Sequence, residues 1–121
     1  MTLSGKKALV TGAAGGIGQA IVKALTDAGA AIAATDIQLE GIPCDAAIPG
    51  DLTDSAHCDA LPAQAREALG GLDIVINNAG VIRRGVITDS TDDDYVQSMA
   101  VNVEAPFRIC RAAIPILAAN G

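Results

Sequence analysis

Apolar and polar residues alternate along this chain in two distinct patterns. Four short stretches are almost continuously apolar and end in a turn signal, which is typical of strands buried on both faces of a parallel sheet. These predicted strands span residues 6–12, 31–37, 47–52 and 72–78. The third contains Pro49, which cannot donate a ladder hydrogen bond and weakens that stretch as a strand.

In three other stretches apolar residues recur every three or four positions, as on one face of a helix. They cover residues 17–28, a segment that begins at residues 53–55 and ends at 69, and one that runs from 91 towards 119. Gly29 and the pair Gly70-Gly71 follow the first two, where a helix end favours a left-handed residue. Thr91 can cap the third, with Asp92–Asp94 in its first turn, where the helix dipole favours anions.

The predicted order is strand, helix, strand, strand, helix, strand, helix. Such alternation indicates an α/β fold, a Rossmann-type doubly wound parallel sheet with helices on both faces. With right-handed crossovers we predict an incomplete sheet of strand order 3-2-1-4, with the first and last helices on opposite faces.

Composition narrows the possible partners and location of the protein. The 121 residues are half apolar, which is enough for one core, and the net charge of −6 argues against nucleic acid or an anionic membrane as partner. Cys44, Cys58 and Cys110 lack CxxC spacing, so no metal site is expected and the cysteines are predicted to be packing residues. With no apolar stretch long enough to span a bilayer, we predict a soluble, cytoplasmic protein.

A glycine-rich segment, TGAAGGIG at residues 11–18, joins the first predicted strand to the first predicted helix. Gly12, Gly16 and Gly18 would let the backbone approach a ligand closely. The N–H groups at the helix start favour an anion such as a pyrophosphate. Because the spacing differs from GxGxxG, a tight turn without a ligand is the alternative.

Two aspartates close the second and third predicted strands at the same sheet edge. Asp36 could accept hydrogen bonds from an adenosine ribose, and Asp51 could accept from the adenine amino group. The alternatives are a solvated strand end for Asp36 and a helix cap for Asp51. Ligands of open α/β sheets bind at this edge, so it is the predicted site.

Four motifs in this order make the chain resemble the first half of a short-chain dehydrogenase/reductase. TGAAGGIG fits the family's TGxxxGIG, Asp51-Leu52 fits its adenine-contact pair, and NNAG at residues 77–80 fits its signature after the fourth strand. Asn102, 25 positions after Asn77, fits the family's active-site Asn. The resemblance implies cofactor contacts from Gly12, Gly16, Ile17, Gly18, Asp36, Asp51, Leu52, Asn78, Ala79 and Gly80, and a catalytic role for Asn102.

The resemblance implies hydride transfer between a nicotinamide cofactor and an alcohol or carbonyl carbon of a small molecule. Family members use a Ser, a Tyr and a Lys four residues beyond the Tyr. Here Tyr95 precedes Asn102 and has no such Lys, so it is predicted to pack at the helix start. Residues 1–121 are therefore expected to be the N-terminal part of one NAD(P)-binding domain. Its partners would be the missing C-terminal half and, since the family is commonly dimeric or tetrameric, further copies of the complete protein.

Asn102 also has a physical reading of its own. Pro106 has no N–H for the carbonyl of Asn102, so the helix should kink there and leave that carbonyl free to bind a water. The alternative is that the Asn102 side chain ties down a neighbouring strand.

The expected cofactor is NAD rather than NADP, because Asp36 would repel a 2′-phosphate and residues 13–15 offer no basic group. Arg83-Arg84 could bind a substrate carboxylate, since NNAGVIRR resembles sugar-acid dehydrogenases of the family, or could simply be solvated. His57 is predicted to be solvated.

The alternative function is a non-catalytic dinucleotide-binding module or an inactive fragment. The sequence stops where a fifth strand should begin, which would leave the fourth predicted strand as an exposed apolar edge. Natural proteins cover such edges, and this favours an oxidoreductase half.

Overall fold

Four strands form one parallel sheet within residues 2–119, the range that the computed structural model describes. Their bounds are Lys7–Thr11 (β1), Ala31–Thr35 (β2), Ala46–Ala47 (β3) and Ile74–Ile76 (β4). The strands lie in the order β3-β2-β1-β4, so that Leu9 of β1 is beside Ala33 of β2 and Val75 of β4. The predicted fold class and strand order are confirmed. The fourth strand, β4, which was predicted to be left as an exposed apolar edge, does lie at one edge of the sheet, but its three residues are half-buried rather than exposed.

Helices cover both faces of this sheet. Their bounds are Gly16–Asp27 (α1), Ser55–Leu69 (α2), Asp92–Met99 (α3) and Ala105–Ala119 (α4). On one face, Val22 of α1 shares a core with Val10 and Ile32, while on the other Leu61 of α2 and Ile109 of α4 pack together. None of the helices in the described range is both long and apolar enough to cross a membrane.

The ends of the helices follow the residues that predicted them. Gly29 and Gly70 have φ values of 99° and 74°, the left-handed conformation that glycine adopts without strain. Asp54 caps α2 through its side chain. Thr91 and Asp94 form a reciprocal capping box at the start of α3.

The third strand is shorter than its apolar stretch and begins earlier, at Ala46–Ala47. Pro49 has no N–H with which to extend the ladder. Beyond it the chain still follows β2, since the Gly50 N–H donates to the Asp36 carbonyl at 3.0 Å. Asp51 therefore lies in a loop and not, as predicted, at a strand end.

The single helix predicted from residue 91 to 119 is interrupted. Between α3 and α4, Ala100–Glu104 form a π-helical turn in which the Ala105 N–H donates to the Ala100 carbonyl. Pro106 falls in the first turn of α4, where a missing N–H is tolerated. The disturbance expected near Pro106 thus takes the form of a π turn with Asn102 at its centre.

Candidate functional site

The carboxyl edge of the sheet opens into a cleft of about 370 Å³. All ten residues predicted to contact a cofactor line it: Gly12, Gly16, Ile17, Gly18, Asp36, Asp51, Leu52, Asn78, Ala79 and Gly80. The lining is completed by residues that were not predicted as site residues: Gly15, Ile37, Gly50, Val81 and Val101.

The glycines of the turn after β1 serve different purposes. Gly12 has a φ of 63°, and a Cβ there would lie 2.8 Å from the Ala79 Cα. A Cβ on Gly18 would collide with the Gly12 carbonyl oxygen and stand 2.9 Å from the Ala13 Cα. Gly16 has nothing within 4 Å of the same position. Gly12 and Gly18 are therefore required by the fold, whereas at Gly16, which lines the cleft, the fold leaves room for a side chain.

The start of α1 borders the cleft without a side-chain cap. Its N-cap residue, Gly15, makes no side-chain hydrogen bond, and the first turn carries no acidic residue. The N–H groups and the positive end of the helix dipole therefore remain for an anion. Ile17 beside them is 73% exposed, which leaves its apolar side chain available to a ligand.

Thr11, at the end of β1, joins the two loops that form the cleft walls. Its buried hydroxyl accepts hydrogen bonds from the N–H groups of Asn78 and Ala79, both at 3.0 Å. The Asn78 amide donates in return to the carbonyls of Thr11 and Gly12, both at 3.2 Å. Thr11 begins the TGAAGGIG segment, but its role as a link was not predicted from the sequence.

Thr11→Val should destabilise the protein by about 2 kcal/mol, because two N–H groups lose their acceptor and a buried unsatisfied group costs about 1–3 kcal/mol. Urea unfolding of the full-length protein measures the change. Thr11→Ser, which keeps the hydroxyl, is the matched control. Equal stability of the valine and serine variants would contradict the assignment.

The two predicted carboxylates differ in how they are held. Asp36 accepts from the N–H groups of Ala14, at 3.0 Å, and Ile37, at 2.7 Å, so it links the end of β2 to the glycine turn. Asp51 is exposed and accepts from the Thr53 N–H at 2.9 Å. Hydrogen bonds from Thr53 are the main reason that the pKa of Asp51 lies below its usual value. Asp51 does not cap α2.

Asn102 holds the loop that follows β4. Its Oδ1 accepts from the Val81 N–H at 2.9 Å, and its Nδ2 donates to the Val81 carbonyl at 2.8 Å. The alternative, in which this side chain ties down a neighbouring strand, is right that the side chain makes such a tie but wrong about its partner, since Val81 lies in the loop after β4. The availability of the Asn102 carbonyl stays a prediction.

The structure also shows the exposure and contacts of the other candidate residues, and two of them differ from the predictions made from the sequence. Tyr95 is 66% exposed, so the prediction that it packs is wrong. His57 is half-buried rather than solvated. Arg83 lies 3.9 Å from Asp94, and Arg84 is exposed. Within residues 2–119 no group of three or more potential ligands could hold a metal ion.

This combination of sheet, glycine turn and cleft occurs in a known family. The family model of the short chain dehydrogenases matches residues 6–121. The chain belongs to the short-chain dehydrogenase family. The 2,3-dihydro-2,3-dihydroxybenzoate dehydrogenase of Bacillus subtilis (strain 168) is 35% identical over 91% of this chain and 46% of its own length. The sorbitol dehydrogenase of Cereibacter sphaeroides is 35% identical over 100% of this chain and 50% of its own length.

A solved short-chain dehydrogenase structure agrees with this assignment. The enzyme from Burkholderia cenocepacia J2315, in complex with NADP, superposes with a TM-score of 0.90 at 38% identity. The match covers 97% of this chain and 53% of that one. The chain thus spans about half the length of the short-chain dehydrogenases that it matches.

Proposed function

We propose that this protein is an NAD(P)-dependent oxidoreductase that transfers a hydride between a nicotinamide cofactor and a secondary alcohol or ketone. The observation that carries the proposal is the uncapped start of α1 at a glycine turn, beside a cleft that also contains Asp36. An anion and a ribose are the groups that such a pair of features recognises.

The residues of the cleft fit a dinucleotide. Gly16 would leave room for the pyrophosphate at the start of α1, Asp36 would accept from the adenosine ribose, and Asp51 with Leu52 would border the adenine. The loop of Asn78, Ala79 and Gly80 would border the nicotinamide half. When bound, the cofactor supplies or accepts the hydride. The role of this chain is to bind and orient it, with Asn102 fixing the loop at the reacting end.

We propose NAD rather than NADP as the cofactor. Asp36 would face a 2′-phosphate with a negative charge, and no basic residue is found among the described residues that line the cleft. The solved relative bound to NADP makes this a question for titration.

Asp36→Asn is expected to lower the preference for NADH over NADPH at least about tenfold. The substitution removes the repulsion between the Asp36 carboxylate and the 2′-phosphate of NADPH, and such a like-charge contact costs several kcal/mol. The asparagine keeps an oxygen that can accept the Ala14 N–H, so the glycine turn should stay in place. Fluorescence titration of the full-length protein with both cofactors measures the preference. Glu40→Gln, which removes an exposed charge from the loop after β2, should leave it unchanged. Tighter binding of NADPH by the unmodified protein would contradict the assignment of Asp36.

We further propose that the chain is the N-terminal part of one catalytic domain, whose remaining half supplies the acid/base residues. The complete protein would then act on a small polyol, sugar acid or cyclic diol and would form oligomers. Arg84 is the cation that could meet a substrate carboxylate, since Arg83 is turned towards Asp94. Turnover of NAD by the full-length protein with these three substrate classes tests the proposal. Cofactor binding without turnover would favour a non-catalytic dinucleotide-binding module.

A further inference from the structure

The imidazole ring of His57 lies behind one wall of the cleft. It belongs to the first turn of α2, and its Nε2 is 3.3 Å from the hydroxyl of Thr35, which is fully buried at the end of β2. The ring also lies against Gly50, where an added Cβ would stand 2.7 Å from the ring Cδ2 and closer still to Cε1 and Nε2. The ring therefore fills the space between Thr35 and Gly50.

The hydrogen bonds of Thr35 decide which ring nitrogen carries a proton. The Thr35 hydroxyl donates its one proton to the Ile48 carbonyl at 2.6 Å. Its oxygen can then only accept from His57, so Nε2 is the protonated nitrogen. Position 57 therefore needs a side chain that is long enough to donate a hydrogen bond to the Thr35 hydroxyl. The side-chain amide of a glutamine could also do this.

Thr35 and Gly50 each precede a carboxylate of the cleft in the sequence. Thr35 is followed by Asp36, and Gly50 is followed by Asp51. The two segments are also joined directly, because the Gly50 N–H donates to the Asp36 carbonyl at 3.0 Å. A change in the space that the ring fills would therefore move the two carboxylates relative to each other.

The next residue of α2 holds the other side of Asp51. The Cys58 thiol donates to the Leu52 carbonyl at 3.3 Å. Burial raises the pKa of this thiol, which keeps it protonated and able to donate. The first turn of α2 thus fixes the wall on both sides of Asp51.

We infer that His57 is a positioning residue that sets the spacing of Asp36 and Asp51 and so shapes the pocket for the adenosine half of a dinucleotide. The inference rests on the proposed function, because that function brings adenosine to this end of the cleft. The reacting end lies on the β4 side, beyond β1, so His57 should influence cofactor affinity and leave the chemical step unchanged.

His57→Ala in the full-length protein is expected to weaken binding of ADP-ribose, a probe without nicotinamide, about tenfold through loss of a hydrogen bond and its packing. Titration calorimetry with ADP-ribose and NADH should give the same factor for both ligands, with kcat unchanged. His57→Gln should recover most of the affinity because it restores the donor. Gln64→Ala, an exposed change on the same helix, should have no effect. If the alanine and glutamine variants weaken ADP-ribose binding equally, the requirement for a hydrogen-bond donor at position 57 is overturned.

Gly50→Ala tests the ring as a spacer. Its Cβ would collide with the ring and should weaken ADP-ribose binding, whereas Gly50→Ala combined with His57→Ala should bind better than Gly50→Ala alone, which is a non-additive result. If His57→Ala binds ADP-ribose with wild-type affinity, the inference about His57 is overturned while the proposed function stands. If His57→Ala does not fold, wild-type affinity in Gly50→Ala has the same meaning. An unmodified protein that binds neither ADP-ribose nor NADH would overturn the proposed function instead.

Discussion

Gly18→Ala is expected to destabilise the protein by more than about 4 kcal/mol, a range that few single substitutions reach. The new Cβ would collide with the Gly12 carbonyl oxygen and stand 2.8 Å from the carbonyl carbon of that residue. The Ala13 Cα is only 2.9 Å away. Because these are backbone atoms of the glycine turn, relief of the overlap would move the start of α1 away from β1.

Gly16→Ala is the matched control, since nothing lies within 4 Å of its Cβ position. We expect it to unfold at nearly the wild-type urea concentration and yet to bind dinucleotide more weakly, because it adds a side chain to a residue that lines the cleft. Urea unfolding and cofactor titration of the full-length protein separate the two effects. Similar losses of stability in both variants would contradict the different purposes assigned to these glycines.

The second large effect concerns turnover. The 121-residue chain alone is expected to show no dehydrogenase activity, because acid/base groups usually contribute about 10²–10⁴-fold and neither the tyrosine nor any lysine of the described residues lines the cleft. Tyr95 does not line the cleft. Lys7 begins β1, at the edge of the sheet opposite the cleft, and Lys23 pairs with Asp27.

A steady-state assay of the chain alone, and then with the remaining half supplied as a separate polypeptide, tests this expectation. Turnover should return on mixing, since the two halves would share one core. In the restored enzyme Asn102→Ala should lower kcat more than it weakens NAD binding. Robust turnover by the chain alone would assign the proton transfer to Tyr95 or another residue within it.

The central strands and the cleft residues were predictable because their signals are local. β1 and β2 are short apolar runs, and parallel strands bring Gly12 and Asp36 to one edge without further information. The length of β3 was not predictable in the same way. The effect of Pro49 depends on whether an N–H at that position would have donated a hydrogen bond to an adjacent strand, and this is known only once the strands are paired.

The remaining differences between the predictions from the sequence and the structure arise from contacts between residues that are far apart in the chain. The π turn places Asn102 against Val81, which lies 21 residues earlier. His57 is turned inwards by Thr35, which lies 22 residues before it. Sequence periodicity reports which face of a helix is apolar, but it does not report which polar group on another element will meet a side chain.

The hydrogen bonds that Thr11 accepts from Asn78 and Ala79 span 67 and 68 residues of sequence. Contacts so far apart form only after the intervening chain has been organised, and this makes parallel sheets slow to fold. The two walls of the cleft therefore cannot meet until β1 and β4 have paired. Recovery of dinucleotide binding during refolding should be among the last signals to appear, which would make the ligand a reporter of completed folding.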